Sequence, residues 1–183
     1  ELVRSALEIS ELPAHLFHPT HVNRREPLLE EAFELTRQGC SIDLTAFPVG
    51  PDEEGFTADD ALARFLDAGL AAERVSVSSD SGGCLPVFDA QGELTHMDVG
   101  SGAYLAQALG NLFKSGRSPE QFLPAFTSNP AHLAKLPGRG VLDPGSMADL
   151  VVLGADASIQ SVMAAGRWHL RAGVVQVQGP FET

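Results

Sequence analysis

The sequence predicts an α/β chain in two portions, a parallel βα portion to about residue 135 and a small all-β portion after it. Three observations lead there. Strand-like segments starting near residues 16, 41 and 75 alternate with helical periodicity, the pattern of βα units in a parallel sheet. Beyond Pro137 the pattern changes to short β-rich runs broken by Gly166 and Gly173. The 183 residues are 44% hydrophobic and 20% charged, enough apolar material to bury a core.

Each element has its own justification. Leu2-Val3-Arg4 reads as the middle of a helix, and with Glu1 standing first the chain is expected to begin part-way through a longer protein. Leu16 to His21 reads as a first strand, in which Pro19 costs one ladder hydrogen bond. Pro27 opens a helix at its first position; Leu28, Leu29, Ala32, Phe33 and Leu35 line one side, and Gly39 closes it. Ser41 to Ala46 is the second strand. A loop from Pro48 to Gly55, rich in Pro, Gly and acid, leads to Thr57, the N-cap of a helix carrying Ala61, Leu62, Phe65 and Leu66. Val75 to Ser79 is the third strand, and Ser81 to Gly102 reads as a long Gly-rich loop. Helical periodicity resumes with Tyr104, Leu105, Ala108, Leu109 and Leu112, and Ser118-Pro119-Glu120-Gln121 has a capping-box pattern. Ala148 to Leu153, Ile159 to Ala164, Arg167 to Arg171 and Val174 to Val177 form the final strands. Three parallel strands do not close a barrel, which needs eight and roughly 250 residues. They fit an open doubly wound sheet or the second half of a barrel equally.

Charge narrows the function. Twelve Lys and Arg stand against 24 Asp and Glu, a net charge of −12, which argues against nucleic acid and an anionic membrane surface. No apolar run approaches the roughly 20 residues of a membrane span. Two cysteines, Cys40 and Cys84, are too few for a disulfide framework and fit a reducing compartment, so the cytoplasm is expected.

Two strand ends offer chemistry. Thr20-His21-Val22-Asn23-Arg24 follows the first strand, at the end where parallel α/β architectures place ligands. His18 and His21 are three apart and point to opposite faces of an extended strand, so they do not form a metal pair. A lone histidine is more often a surface or satisfied core residue than a ligand. Asp80, in Ser78-Ser79-Asp80-Ser81-Gly82-Gly83, follows the third strand. Small neighbours leave its carboxylate open to a metal or a proton, although an Asx-turn aspartate reads the same. No phosphate-loop pattern follows it. Gly138 to Leu153 reads as a turn-rich approach to a buried strand, with Pro144-Gly145 suited to a type II turn. Cys40 reads as a small buried apolar residue, and His15, His96, His132 and His169 have no partners at ligand spacing. The acidic clusters Asp52–Glu54 and Asp59–Asp60 read as solvated loop and helix-start charges.

Ala148-Asp149-Leu150-Val151-Val152 resembles the C-terminal signature of the amidohydrolase superfamily. Pro19-Thr20-His21-Val22-Asn23-Arg24, Ile42-Asp43-Leu44-Thr45, Ser78-Ser79-Asp80, Phe88-Asp89 and Gly92-Glu93-Leu94-Thr95-His96 look like the isoaspartyl dipeptidase family within it, as does the ending Gly179 to Thr183. The likeness runs in order over nearly the whole chain. It implies the C-terminal part of a (β/α)8 TIM-like barrel over residues 1–135 and a small β-sandwich subdomain over 136–183. It implies a metallo-dipeptidase cleaving β-aspartyl dipeptides, with a small acidic dipeptide as partner and room for a homo-oligomer. Residue by residue, His21 stands where that family has a zinc-ligating histidine. Asp80 stands where it has the aspartate that binds the other metal and serves as general base and acid. Arg24 matches an arginine that holds a substrate carboxylate, a role that suits its guanidinium fork. Cys84 replaces a substrate-contacting serine, and Ser81-Gly82-Gly83 replaces a different small-residue loop.

The family's His-x-His pair, carboxylated lysine and further histidine have no match here, and no His-x-His occurs in the chain. The resemblance implies two zinc ions per full-length chain; without those ligands, little or none is expected on these residues alone, which should be inactive by themselves. A deacylase or dihydroorotase-like amidohydrolase, and a non-catalytic βα module, are the alternatives.

Overall fold

The computed structural model describes residues 2–50, 54–89 and 91–179. Asp52 and the ending from Pro180, both used in the sequence reading, lie outside them. The fold is mixed α/β, and the chain divides into a compact unit ending at Ala108 and another starting at Leu109.

In the first unit, helix α1 spans Leu2–Ile9, α2 Glu26–Arg37 and α3 Ala58–Asp67, while strand β1 spans Ile42–Thr45 and β2 Val75–Ser78. Strands β1 and β2 pair in parallel, with Ile42 opposite Val75 and Thr45 opposite Ser78. Their alternation decides the packing, because successive side chains in a strand point to opposite faces. Ile42, Leu44, Val75 and Val77 share one face, and all are at least 95% buried. Apolar stripes on the two helices complete this core: Leu29, Ala32 and Leu35 from α2, and Ala61, Leu62 and Phe65 from α3. Phe33 and Phe65 meet edge to face, with ring centroids 5.6 Å apart. Helix α2 opens at Glu26, one residue before Pro27, and Thr57 caps α3 by accepting from the Asp60 amide at 3.4 Å.

Two expectations need correction here. Leu16 to His21 is not a strand: Ala14–Leu16 form a 3-10 turn, and the following residues run beside β1. The Ser41 and Asp43 amides donate to the carbonyls of Phe17 (3.2 Å) and Pro19 (2.9 Å). Pro19 has no N–H to give the return bond, so the ladder is one-sided. The stretch from Ser81 to Gly102 is not a plain loop either. It holds an antiparallel hairpin, β3 (Cys84–Phe88) with β4 (Leu94–Val99). Pro86 and the Gly-rich flanks hid it from periodicity, and the whole of β4 is exposed, so no apolar alternation marks it.

Helix α4 (Ala103–Lys114) runs across the division between the units. The second unit continues with α5 (Pro119–Phe126) and α6 (Ser128–Leu133), where Phe113 and Phe122 meet edge to face at 5.1 Å. Ser118 does not close a capping box. Its hydroxyl donates to the Glu120 carboxylate at 2.6 Å, a charged acceptor that takes it away from the helix amides. Strands β5 (Leu150–Leu153), β6 (Ile159–Ala164), β7 (Arg167–Arg171) and β8 (Val174–Val175) form an antiparallel sheet in that order. The Asp143–Ser146 turn places Gly145 at φ +92°, as a type II turn requires. Strand β5 is not buried as expected: it is an edge strand, and Val151 and Val152 are 56% and 45% exposed.

Candidate active site

The other face of β1 and β2 is polar. Asp43, Thr45, Ser76 and Ser78 project there, and this face leads to the strand ends that carry His21 and Asp80. Hydroxyls and a carboxylate can occupy an interior surface only where they bond one another, and these do. The Asp43 carboxylate accepts from Ser76 and Ser78, each at 2.6 Å.

His21 sits at the start of a 3-10 turn, Val22–Arg24, with φ 60° and ψ 26°. That left-handed backbone is uncommon for a residue with a side chain and is held only where its surroundings enforce it. Two contacts do so. Nδ1 of the His21 ring lies 2.9 Å from Thr45 Oγ1. Two residues on, Asn23 is fully buried and uses its whole amide: Nδ2 donates to the carbonyls of Thr45 (2.9 Å) and Phe56 (2.7 Å), and Oδ1 accepts from the Thr45 amide (2.9 Å). The backbone carbonyl of Asn23 accepts from the Phe56 amide as well. The turn is thus fixed to the end of β1, and Arg24 projects from it with its guanidinium 5.6 Å from the centre of the Phe47 ring, a cation–π contact. His18, three residues earlier, does not point to the opposite face as expected: its Nε2 lies 3.4 Å from Ser76 Oγ on this same polar face, because the backbone between is not a strand and turns left-handed at His21.

Asp80 lies two residues beyond β2 and is also left-handed, with φ 47°. The base of the β3–β4 hairpin wraps its backbone. The Gly83 amide donates to the Asp80 carbonyl, and Gly82 and Gly83 exchange bonds with Gly100. This closeness requires glycine. A Cβ on Gly100 would lie 2.6 Å from the Asp80 carbonyl oxygen, and one on Gly83 would lie 2.8 Å from the Asp80 carboxylate.

Arg24, Asp80 and Cys84 line one shallow recess, together with Phe47, Ser101 and Tyr104. His21 borders it through Asp80: its Nε2 lies 3.9 Å from Asp80 Oδ2. With the proton on Nδ1, the ring donates to Thr45 and turns its Nε2 lone pair toward Asp80. Nitrogen and carboxylate donors at this separation are beyond hydrogen-bond reach of each other and are types that zinc accepts. Among the described residues no three His, Cys, Asp or Glu side chains gather as a metal group. His21 and Asp80 therefore fit as part of a ligand set, because catalytic zinc normally takes three protein ligands.

Sequence reasoning singled out His21, Arg24, Asp80 and Cys84, and the structure brings all four to one end of the β1–β2 pair. It passed over Asn23, Asp43 and Gly100. Asp43 carried a visible signal, a carboxylate between two apolar residues in a strand. Asn23 and Gly100 carried none, since their partners are 22 or more and 20 residues away respectively.

The amidohydrolase family model matches residues 13–169. The β-aspartyl dipeptidase of Fervidobacterium islandicum, solved with a β-Asp-Leu dipeptide, is 31% identical over 98% of this chain, with a TM-score of 0.84. A second structure of that enzyme gives 30% identity over 98% of this chain and a TM-score of 0.78. This chain spans 46% and 44% of those two chains, less than half their length. The N-acetylglucosamine-6-phosphate deacetylase of Thermotoga maritima shares the fold at 19% identity and a TM-score of 0.50, over 78% of this chain and 50% of its own. No helix among the described residues is long and apolar enough to cross a membrane.

Proposed function

This chain belongs to the amidohydrolase family, and on that premise we propose that it is the C-terminal part of a metal-dependent dipeptidase that cleaves β-aspartyl dipeptides. The observation that carries the reading is the meeting of His21, Asp80 and Arg24 around one recess. The 31% identity to a β-aspartyl dipeptidase across nearly all of this chain supports it.

In this reading residues 1–135 belong to a (β/α)8 barrel and 136–183 to a small β subdomain. The parallel β1–β2 pair with its helices supports the first assignment, and the sheet confined to residues 150–175 the second. His21 and Asp80 supply two ligands of a binuclear zinc site, and the upstream part of the protein supplies the others. Zinc, when bound, polarises the scissile carbonyl and acidifies water. The chain's own residues do the rest. Thr45 fixes the His21 ring, so the imidazole does not reorient. Asp80 Oδ2 takes a proton from the attacking water and returns it to the leaving amine, a role open to a carboxylate facing the recess. Arg24 receives the substrate carboxylate through a planar fork, a local cation on a chain of net charge −12. Cys84 lines the same recess beside Asp80 and contacts the substrate from that side. The cytoplasm is the compartment we assign, in line with two free cysteines.

Two substitutions in the full-length protein test this with a dipeptide panel. Asp80→Asn should lower kcat by about 10²–10⁴-fold. Arg24→Lys should act mainly on KM, and more for β-aspartyl dipeptides than for an analogue whose recognised carboxylate is an amide. Undiminished dipeptide hydrolysis by Asp80→Asn at normal metal content would end the proposed mechanism. An Arg24→Lys penalty indifferent to the carboxylate would favour a different amidohydrolase substrate.

A further inference from the structure

We infer that Asp43 is a positioning residue whose carboxylate sets the separation of His21 and Asp80, an inference that rests on the reading of these two as the reacting pair. Asp43 lies on β1, between the segment leading to His21 and the strand leading to Asp80. It is 95% buried, and three hydroxyls converge on it. Thr20, the residue before His21, donates to Oδ2 at 3.1 Å. Ser78, two residues before Asp80, donates to the same oxygen at 2.6 Å. Ser76 donates to Oδ1 at 2.6 Å. One oxygen atom therefore joins the two chain segments that carry the site.

The chemistry of the cluster favours this over a purely structural role. Burying a carboxylate among neutral hydroxyls stabilises a fold poorly, because desolvation of the charge is costly. What a carboxylate supplies that an amide does not is acceptance on every face of both oxygens. All three hydroxyls then point inward, with no choice of donor and acceptor to scramble the arrangement. The tie matters most on the Thr20 side, where the backbone bonds run one way, from the Ser41 and Asp43 amides to Phe17 and Pro19, and Pro19 gives none in return. The bonds of His21 and Asn23 to Thr45 hold the turn beyond Thr20; the Thr20–Asp43 bond is the side-chain tie that links the approach to that turn with the oxygen that also holds Ser78.

The test is steady-state kinetics on β-aspartyl dipeptides with the full-length protein, metal content being measured in parallel. Thr20→Val and Ser78→Ala should each lower kcat by about 10- to 100-fold, the scale of a sub-ångström to 1 Å misplacement. KM should stay within about threefold and metal content should be unchanged. Thr20→Ser, which keeps the hydroxyl, should restore wild-type kcat. Ser76→Ala removes a bond to the same carboxylate but adjoins neither His21 nor Asp80, so it should leave kcat within about twofold. Ser78→Ala added to Asp43→Asn should cost little more than Asp43→Asn alone, because both act through one oxygen. If Asp43→Asn does not fold, the Thr20 and Ser78 variants decide the matter by themselves. Wild-type kcat in both of them, or an equal loss in Ser76→Ala, would overturn the inference while leaving Asp80 as the reacting group. Full activity in Asp80→Asn would instead remove the catalytic reading, and the positioning role would fall with it.

Discussion

Replacing Asn23 by aspartate tests how the turn carrying His21 and Arg24 is held. The side chains have the same shape, so packing is kept and only hydrogen-bond chemistry changes. The Thr45 amide keeps its acceptor, but the bonds to the carbonyls of Thr45 and Phe56, at 2.9 and 2.7 Å, lose their donor. Left without its partner, the buried Thr45 carbonyl costs about 1–3 kcal/mol, and the part-buried Phe56 carbonyl adds a smaller amount, so the loss should be at least about 1–3 kcal/mol. Against a typical total of about 5–15 kcal/mol, that is a large share. The penalty should also depend on pH in a definite direction. At this fully buried position the neutral acid is favoured, since it still donates one bond, so Asn23→Asp introduces a group with a folded pKa above its unfolded value of about 3.9. In the window above about 3.9 the folded state holds more protons than the unfolded state, and stability falls as pH rises. Urea denaturation of full-length wild type and Asn23→Asp at pH 4, 5.5 and 7 measures both effects. A difference within about 0.5 kcal/mol at pH 7, or a penalty flat between pH 4 and 7, would refute the account of Asn23.

Three further outcomes are expected. Gly140 has φ +75°, and a Cβ there would lie 2.5 Å from the Thr127 carbonyl oxygen, whereas one on Gly145 would meet nothing within 4 Å; Gly140→Ala should therefore lower the thermal midpoint well beyond Gly145→Ala, and equal shifts would contradict the contact. Burial pushes the Cys40 thiol above its ordinary pKa, with the Arg74 charge opposing, while Cys84 is exposed; iodoacetamide at about pH 8 should modify Cys84 quickly and Cys40 only on unfolding, as peptide mass spectrometry reads directly. Hydrogen bonds from the Ser158 hydroxyl and amide hold the Asp156 carboxyl below the usual carboxylate range; its support for the β5–β6 turn is present above the unfolded value of about 3.9 and lost as pH falls through the lower folded value, and Ser158→Ala should move its NMR titration back up.

Legibility in the sequence followed the range of the forces involved. Strands β6 and β7 were found at their observed limits because glycines mark the turns and the pairing is between neighbours in the chain. Strands β1 and β2 were placed within two residues, since their alternation is strict. The segment before His21 was misread because apolar character says nothing about whether a partner strand can receive a bond, and Pro19 prevents that. The hairpin around β3 and β4 was missed because it is held by backbone bonds and by glycines that admit the Asp80 carbonyl, neither of which alters hydropathy. His21 and Asp80 were visible as polar residues at strand ends. Their approach to 3.9 Å depends on Thr45, Asn23 and Asp43, and that dependence exists only in three dimensions.

The two-sided character of β1 and β2 also sets how this region can be engineered. Positions 42, 44, 75 and 77 answer to volume, so a library of Val, Ile, Leu and Met there should yield many folded members, in keeping with the tolerance of cores for volume-conserving exchange. Positions 43, 45, 76 and 78 answer to donors and acceptors instead: Asp43 and Ser78 bond each other and must change together, while Thr45 is matched to His21. A combinatorial library should therefore use two alphabets in alternation along each strand, varying the first set independently and the second only in matched pairs. Randomising all eight with one hydrophobic alphabet would leave the helices packed and disconnect the strands from the chemistry they carry.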